Sequence, residues 1–189
     1  MKLPDKHHSF VSSAEVGQIC KPLEQLNMNF FNRIRFYNDG SIAILTNNAK
    51  WLNHCLTHER PREGNIMGLQ QGIYLWQDIL ETEVVRDAKN DFNICKGIQF
   101  LNIEENYRDV FAFGSTIDTD FTVSFYFNNL DLLQKFILFF NEKSEKLFND
   151  ANKSRIITPK IMKIADIKPH LSKVERINKI ARKHFQAEL

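Results

Sequence analysis

The segment NFFNRIRFYNDGSIAILT, residues 29–46, decides the fold class of this 189-residue chain. Two runs rich in β-branched and aromatic residues, 29–37 and 41–46, flank the turn Asn38-Asp39-Gly40. An Asp-Gly step between such runs is a strong hairpin signal, because glycine readily adopts the left-handed backbone that a tight turn needs. The sequence therefore predicts an antiparallel pair of strands here.

Apolar periodicity places further strands and helices on both sides of this hairpin. Strands are predicted at 96–103 and 109–115, with a third extended segment at 72–80. Helices are predicted from Ser12 or Ser13 to Leu26, over 49–56, over 82–91 and, most strongly, over 129–152. Together these elements predict an α+β fold. It is an α/β/α sandwich with a central antiparallel sheet of about five strands flanked by helices, as in PAS-like and GAF-like sensory modules.

Composition limits the class of protein. Hydrophobic residues make up 43% of the chain and charged residues 25%, as expected for a folded globular domain. Sixteen Phe occur beside four Tyr and two Trp, which favours an aromatic core that encloses an apolar cavity. Three widely separated cysteines indicate no disulfide framework, and no apolar run approaches the roughly 18 residues that span a bilayer. We therefore predict a cytoplasmic protein with no membrane partner.

Charge divides the chain into an acidic body and a basic end. Residues 1–150 contain 15 Lys and Arg against 20 Asp and Glu, a net charge of −5. Residues 151–189 contain 10 Lys and Arg against 3 Asp and Glu, a net charge of +7. This asymmetry fits either nucleic-acid contact or a solvated helix face. The candidate contacts for weak, nonspecific nucleic-acid binding are Lys179, Arg182 and Lys183.

Motifs for catalysis and metal binding do not occur in the sequence. No G-x-S-x-G, P-loop, G-x-G-x-x-G or H-E-x-x-H pattern is found. His54 and His58 have the spacing of two metal ligands on one helix, with Cys55 beside them, but no nearby carboxylate completes the set. We predict that the protein is not an enzyme and needs neither a cofactor nor a metal ion.

Aromatic residues in the middle of the chain indicate a small-molecule pocket. Such pockets are lined mainly by apolar groups, although an ordinary aromatic core would have the same composition. The loop 59–72, with three Gly and one Pro, is a candidate mobile cover for the pocket. The candidate ligand-binding residues are Trp51, Cys55, Tyr74, Trp76 and Phe92.

A second apolar row widens the surface of the predicted 129–152 helix. Leu132, Phe136 and Phe139 form this row beside the main apolar stripe. An apolar arc of this width requires extensive burial. The row therefore predicts either a dimer interface or a helix that is buried on two sides.

Several stretches together resemble one protein family. These are RIRFYNDGSIAILTNNAKW (33–51), GIYLWQDIL (72–80), AKNDFNICKGIQFL (88–101), VFAFGST (110–116) and FYFNNLDLLQKFILFFNEKSEKL (125–147). They are similar to the N-terminal sensory domain of LuxR-type transcriptional regulators, in a divergent branch. The resemblance implies a signal-binding domain over 13–158, preceded by a flexible terminus at 1–12. It also implies an unidentified small-molecule signal and pairing with a second copy or with related regulators.

The same resemblance bears on the ligand and on DNA binding. Trp51 and Trp76 match the two pocket tryptophans of the family, but Cys55 stands where the better-known lactone sensors have Tyr, and their amide-binding Asp has no counterpart. Residues 171–175 resemble the opening of the family's DNA-binding domain. We therefore expect 159–189 to be a basic linker with a C-terminal helix, a truncated or remnant helix-turn-helix. The implied function is ligand-dependent transcriptional regulation. The alternatives are a ligand-free partner of full-length regulators and a nonspecific nucleic-acid binder.

Overall fold

The computed structural model describes residues 3–57, 68–80 and 82–157. His58, most of the predicted 59–72 loop and the basic segment 159–189, including Lys179, Arg182 and Lys183, lie outside these ranges. The helices are α1 (His8–Val11), α2 (Ser13–Glu24), α3 (Ala49–Thr57), α4 (Trp76–Ile79), α5 (Thr82–Phe92), α6 (Asp120–Asn128), α7 (Leu130–Lys143) and α8 (Glu145–Lys153). The strands are β1 (Met28–Tyr37), β2 (Ser41–Thr46), β3 (Gly72–Leu75), β4 (Lys96–Ile103), β5 (Tyr107–Ser115) and β6 (Ile156–Ile157).

The strands form one six-stranded antiparallel sheet in the order β3-β4-β5-β1-β2-β6. This confirms the predicted α+β class and central antiparallel sheet. The predicted hairpin is β1–β2, in which Ile34 is paired with Ile44. Gly40 has a φ of 88°, and Asp39 Oδ1 accepts a hydrogen bond from the Ser41 amide at 2.8 Å. The Asp-Gly signal thus acts through a left-handed glycine and a side-chain bond across the turn.

Three local predictions differ from the structure. The predicted 129–152 helix is divided at Ser144, a fully buried residue whose carbonyl starts the next helix by accepting from Phe148 N at 2.8 Å. The 72–80 segment is extended only as far as Leu75, after which the chain forms α4. Residues 8–11, expected to belong to a flexible terminus, form α1, and Ser12 Oγ donates to the His8 carbonyl at 2.7 Å.

The two faces of the sheet are covered by different helices. On the packed face, named for its continuous core, Phe31, Phe113 and Phe100 of the strands meet residues of α2, α6, α7 and α8. On the opposite face, Ile44 and Ala112 of the strands meet residues of α3, α4 and α5. This second side borders a cavity and is called the cavity face. Alternate residues of each strand serve the two cores, because side chains alternate along a strand.

No helix in the described part of the chain is both long and apolar enough to cross a membrane.

Candidate functional site

A cavity of about 110 Å³ lies between the cavity face of the sheet and helices α3 to α5. One water needs roughly 10–15 Å³, and an apolar cavity of about 150 Å³ admits benzene, so the space fits a small organic group. Most of the lining is apolar: Ile34, Phe36, Ile42, Ile44, Trp51, Leu52, Leu56, Trp76, Leu80, Val84, Val110 and Ala112. The polar and thiol-bearing residues in the lining are Asn32, Thr46, His54, Cys55, Asp87 and Gln99.

The floor of the cavity is one row of residues across the sheet. Asn32 on β1 pairs with Ala112 on β5, and Ala112 pairs with Gln99 on β4. On the other side Asn32 pairs with Thr46 on β2. Directly paired residues project to the same face of a sheet. The two amide side chains therefore flank the small Ala112, which leaves room above the middle of the row.

Three buried polar atoms of this site have no hydrogen-bond partner among the described residues. They are Asn32 Oδ1, Gln99 Nε2 and Trp76 Nε1, and all three residues line the cavity. A buried polar atom without a partner costs about 1–3 kcal/mol, so most such atoms in folded proteins are bonded. Three of the seven such atoms in the described residues belong to side chains that line the cavity.

The position of Trp76 depends on a glycine. Trp76 begins α4 directly after the extended Leu75, and its ring makes an edge contact with Phe30 at a centroid distance of 5.4 Å. A Cβ atom on Gly97 would lie within 2.6 Å of three indole atoms. Only glycine at this position lets the indole lie against strand β4 without displacement.

Two helices form the wall opposite the sheet. Trp51 on α3 stacks on His54 with ring centroids 5.6 Å apart, and Phe92 of α5 contacts both rings edge-on at 5.0 Å. His54 Nε2 lies 3.0 Å from Asp87 Oδ2, which joins α3 to α5. Asn48 Oδ1 accepts from the Trp51 amide at 2.9 Å, as expected for a helix cap.

The structure brings together three of the five predicted ligand-binding residues. Trp51, Cys55 and Trp76 line the cavity. Tyr74 is buried on the same face, but its hydroxyl donates to the Gln70 carbonyl at 2.6 Å and it does not line the cavity. Phe92 supports Trp51 from behind the wall. Sequence reasoning missed Asn32 and Gln99, since their signal, a polar residue at an inward strand position, depends on knowing the strand pairing.

The other candidate residues lie away from the cavity. Phe136 is 8% exposed and packs against Phe31 and Phe113, so its side chain belongs to the packed core and is not available to a second copy. Leu132 and Phe139 remain 39% and 37% exposed. His58, which with His54 has the spacing of two metal ligands, lies outside the described ranges. Within those ranges, no group of three His, Cys, Asp or Glu could hold a metal ion.

The packed face contains a charged cluster. Arg35 Nε and Nη2 donate to the two Asp109 oxygens at 2.7 and 2.6 Å, and Arg33 Nη2 lies 3.4 Å from Oδ2. The Arg33 guanidinium also lies 3.5 Å from the Phe148 ring centroid. Burial lowers the pKa of Arg33 although Asp109 opposes this effect. Burial acts in the same direction on Arg35, but hydrogen bonds to Asp109 and its negative charge outweigh it, and the pKa of Arg35 is raised.

Comparison with solved structures identifies the fold. Escherichia coli SdiA matches with a TM-score of 0.50 at 17% identity, over 93% of this chain and 72% of that chain. CepR2 of Burkholderia cenocepacia, an N-acylhomoserine lactone dependent LuxR family transcription factor, matches with a TM-score of 0.49 at 11% identity, over 76% and 95%. The VqsR LBD domain of Pseudomonas aeruginosa matches with a TM-score of 0.43 at 9% identity, over 71% and 88%.

The fold is that of LuxR-family sensory domains. No protein-family model matches the chain, and no curated protein matches its sequence. The LuxR-type resemblance predicted from the sequence is therefore confirmed at the level of the fold, which is what similarity at such low identity establishes.

Proposed function

We propose that this chain is a LuxR-type sensory domain that binds a small, mainly apolar molecule in the cavity beneath Trp76. The observation that carries the proposal is a mainly apolar cavity that also has the polar side chains of Asn32 and Gln99 and the indole of Trp76 in its lining. Small-molecule sites combine an apolar lining with a few placed polar groups in this way. No arrangement in the described residues suggests catalysis, and we propose a binding role without an enzymatic one.

The position of the cavity suggests how binding would be transmitted. His54 and Asp87 join two wall helices across it, and Trp76 lies at the start of a third. A ligand that binds one arrangement of these helices more tightly shifts the population toward that arrangement. We propose that this shift acts in transcriptional regulation through dimerisation.

The surface of α7 supports the dimerisation part of the proposal. Leu132 and Phe139, seven positions apart and therefore on one face of α7, are 39% and 37% exposed, and exposed large apolar residues on one surface are typical of protein interfaces. The same observation favours a second candidate function, a ligand-free module that pairs with related regulators. The two functions differ in whether the cavity is occupied in the functional protein.

Native mass spectrometry of the freshly purified protein tests occupancy and counts subunits in one measurement. We expect a non-covalent mass addition that is lost on denaturation. Ala112→Leu places a larger side chain on the cavity floor and should abolish the addition, whereas Ser144→Ala, a buried change on the packed face, should retain it.

The opposite results would contradict the proposal. An addition that survives in Ala112→Leu would lie outside the cavity. An unliganded dimer in the wild type, unchanged by Ala112→Leu, would favour the ligand-free pairing module.

A further inference from the structure

The short helix α1 joins the two helical layers of the fold. It contacts β2, α3 of the cavity face and α8 of the packed face. Phe10 is partly buried against the cavity-face core, and His8 Nε2 lies 2.9 Å from the Leu147 carbonyl oxygen of α8. A helix of four residues is not stable by itself in water, where isolated helices need about 12–15 residues. The position of α1 therefore depends on its tertiary contacts and on its cap.

His7 supplies that cap. Its Nδ1 accepts a hydrogen bond from the Ser9 amide at 3.2 Å, which is the role of a helix N-cap. The ring also has a hydrogen bond to the backbone of Ser154, the residue that follows α8. Because Nδ1 is the acceptor, the nitrogen left to donate to a carbonyl is Nε2. Only the neutral imidazole with its proton on Nε2 makes both bonds.

Protonation of His7 would break the cap. An imidazolium has a proton on both nitrogens and no acceptor, so its Nδ1 proton would face the Ser9 N–H. Burial lowers the pKa of His7, and the positive charge of His8 acts in the same direction; the bond to Ser154 opposes both but does not outweigh them. The released ring, with an ordinary pKa near 6.5, therefore gains a proton more readily than the docked ring.

The direction of the pH effect follows from this difference. A histidine whose pKa is lower in the docked than in the released state stabilises docking fully above the released value, near pH 6.5. That contribution is lost as the pH falls below 6.5. Mild acid is therefore expected to favour release of α1.

The charged groups of α8 near α1 do not titrate in the same range or do not break a contact. Asp150 is affected by the charge of His8, but its hydrogen bond to Lys153, at 2.9 Å, holds the pKa of Asp150 below its usual range, so it stays ionised in mild acid. His8 can donate to the Leu147 carbonyl in either protonation state. Protonation of His8 therefore leaves that bond intact.

The other elements packed against α1 contribute no equivalent group. Strand β2 has no acidic or basic side chain. His54 of α3 lies 3.0 Å from Asp87, and protonation would strengthen this pairing with a carboxylate. The remaining titratable side chains of the packed elements are Glu15, Cys20, Lys21 and Glu24 on α2, Lys50 and Cys55 on α3, and Glu145 and Lys146 on α8.

The chain that follows α1 also holds the start of the cavity wall. Ser13 begins α2 directly after the C-cap of α1, and its Oγ accepts from the Ala49 amide at 3.1 Å. Ala49 is the first residue of α3, whose Trp51 lines the cavity. Amides in the first turn of a helix have no partner within the helix, so displacement of Ser13 would leave Ala49 without this bond.

We propose that His7 is a pH-sensitive latch: its neutral form holds α1 against α3 and α8, and its protonation releases α1 and loosens the start of α3. The latch goes beyond the proposed ligand-binding function and does not depend on it, because its bonds lie outside the cavity. Through Ser13, acidification would reach a helix of the cavity wall.

Hydrogen exchange of the full chain at pH 5 and pH 8, followed by NMR and corrected for the intrinsic exchange rate, tests the latch. The reporters are the Ser12 amide, which donates to the His8 carbonyl at 3.0 Å, and the Ala49 amide. Loss of one helix cap changes an equilibrium constant about fivefold, so we expect the protection of both amides to fall about fivefold from pH 8 to pH 5. Both should be less protected than the Phe113 amide of β5.

Substitutions of the two adjacent histidines assign the effect. His7→Asn retains a cap acceptor that does not titrate, so protection should be nearly equal at the two pH values. His7→Ala removes the acceptor, and protection at pH 8 should be about fivefold below that of the wild type, with little further change at pH 5. His8→Gln is the matched control, because its amide can still donate to the Leu147 carbonyl, and the pH dependence of the wild type should persist.

Several results would overturn the latch. Equal protection of the Ser12 amide at pH 5 and pH 8 in the wild type would do so. pH dependence that persists in His7→Asn, or that is lost in His8→Gln, would mean that His7 is not the titrating group. Protection of Ser12 as strong as that of Phe113 would mean that α1 opens only when the whole domain unfolds.

The Ala49 amide tests the second half of the proposal separately. If Ser12 responds to pH and Ala49 does not, release of α1 does not reach the cavity wall, and that half is wrong. All of these measurements are made without a ligand, so their failure would leave the proposed binding function standing.

Discussion

The two faces of the sheet use alternate residues of the same strands, yet one face is closely packed and the other borders a cavity. On β1, Arg33 projects toward the packed face, where its guanidinium lies 3.5 Å from the Phe148 ring centroid, and its neighbour Asn32 lines the cavity. Arg33 Nη2 lies 3.4 Å from Asp109 Oδ2, but Arg33 Nε, like Asn32 Oδ1, has no partner among the described residues. One strand therefore supplies a filled core on one side and part of a cavity lining on the other.

The aromatic packing shows the same contrast. On the packed face, Phe31 contacts the rings of Phe113, Phe136 and Phe140 at centroid distances of 5.0, 5.2 and 4.5 Å, and it is fully buried. On the cavity face, Trp51 and Trp76 border an open space. A close-packed layer resists deformation, so we interpret the packed face as the rigid support for the side that carries the proposed ligand site.

The largest expected effect is a loss of stability, and it should differ between variants of two adjacent residues of β2. Leu45 is buried on the packed face, and Ile44 is buried on the cavity face and lines the cavity. Leu45→Ala should lower the free energy of unfolding by about 4 kcal/mol, and Ile44→Ala by only about 2 kcal/mol, because the surroundings of Ile44 already lack contacts on one side. Urea unfolding measures the free energy of unfolding of both variants. Equal losses in the two variants would contradict the difference in packing between the faces.

The second largest loss of stability is expected for variants of the charged cluster on the packed face. Asp109→Ala leaves Arg33 and Arg35 buried beside each other, and we expect a loss of about 3 kcal/mol in unfolding free energy, the lower end for a broken buried pair because Arg35 is partly exposed. Adding Arg33→Met should recover part of the loss by removing one unpaired charge. If Asp109→Ala lowers the free energy of unfolding no more than the loss of an exposed ion pair does, the cluster does not stabilise the packed face.

A glycine substitution tests the support of Trp76. Gly97→Ala would force the indole to move and should cost about 2 kcal/mol of stability, as overpacking does, while also weakening ligand binding. Gly17→Ala in α2 is the control, since a Cβ there meets nothing within 4 Å, and it should raise stability by up to about 1 kcal/mol. Unchanged binding in Gly97→Ala would remove Trp76 from the site.

The smallest expected effect is a difference in alkylation rate among the three cysteines. Burial raises the pKa of Cys20 to about 12, so its thiol should react with iodoacetamide far more slowly than Cys55 or Cys95, which are partly exposed. A small molecule bound in the cavity, such as hexan-3-one, should slow the alkylation of Cys55, which lines the cavity. The alkylation rate of Cys95 should be unchanged. Peptide mass mapping over time measures all three, and equal protection of Cys55 and Cys95 would place the probe elsewhere.

The same shift of the Cys20 pKa has a consequence for stability. A thiol whose pKa is higher in the folded than in the unfolded protein stabilises the fold fully below the unfolded value, near 9. That contribution is lost as the pH rises from about 9 toward 12. Cys20→Ala should show a shallower loss of stability over this range than the wild type, and parallel curves would contradict the assignment.

Local signals in the sequence predicted the hairpin and most strands, because a left-handed glycine and alternating apolar residues act within a few positions. They also indicated Trp51 and Trp76 as pocket residues. The break at Ser144 was not predicted, since the apolar period continues through it and only the buried serine marks the division. Asn32 and Gln99 could not be placed in one site, because β1 and β4 meet only through β5.

The central claim is that the cavity face binds a small molecule, and nitrogen-15 NMR of the tryptophan side chains tests it most directly. The chain has two Trp, and both line the cavity, so its two indole N–H signals report on this site alone. Trp51→Phe and Trp76→Phe assign them. Titration with hexan-3-one, a six-carbon ketone, should shift both indole signals to saturation, because both tryptophans line the cavity. Unmoved indole signals, with shifts confined to amides of α7, would contradict the account.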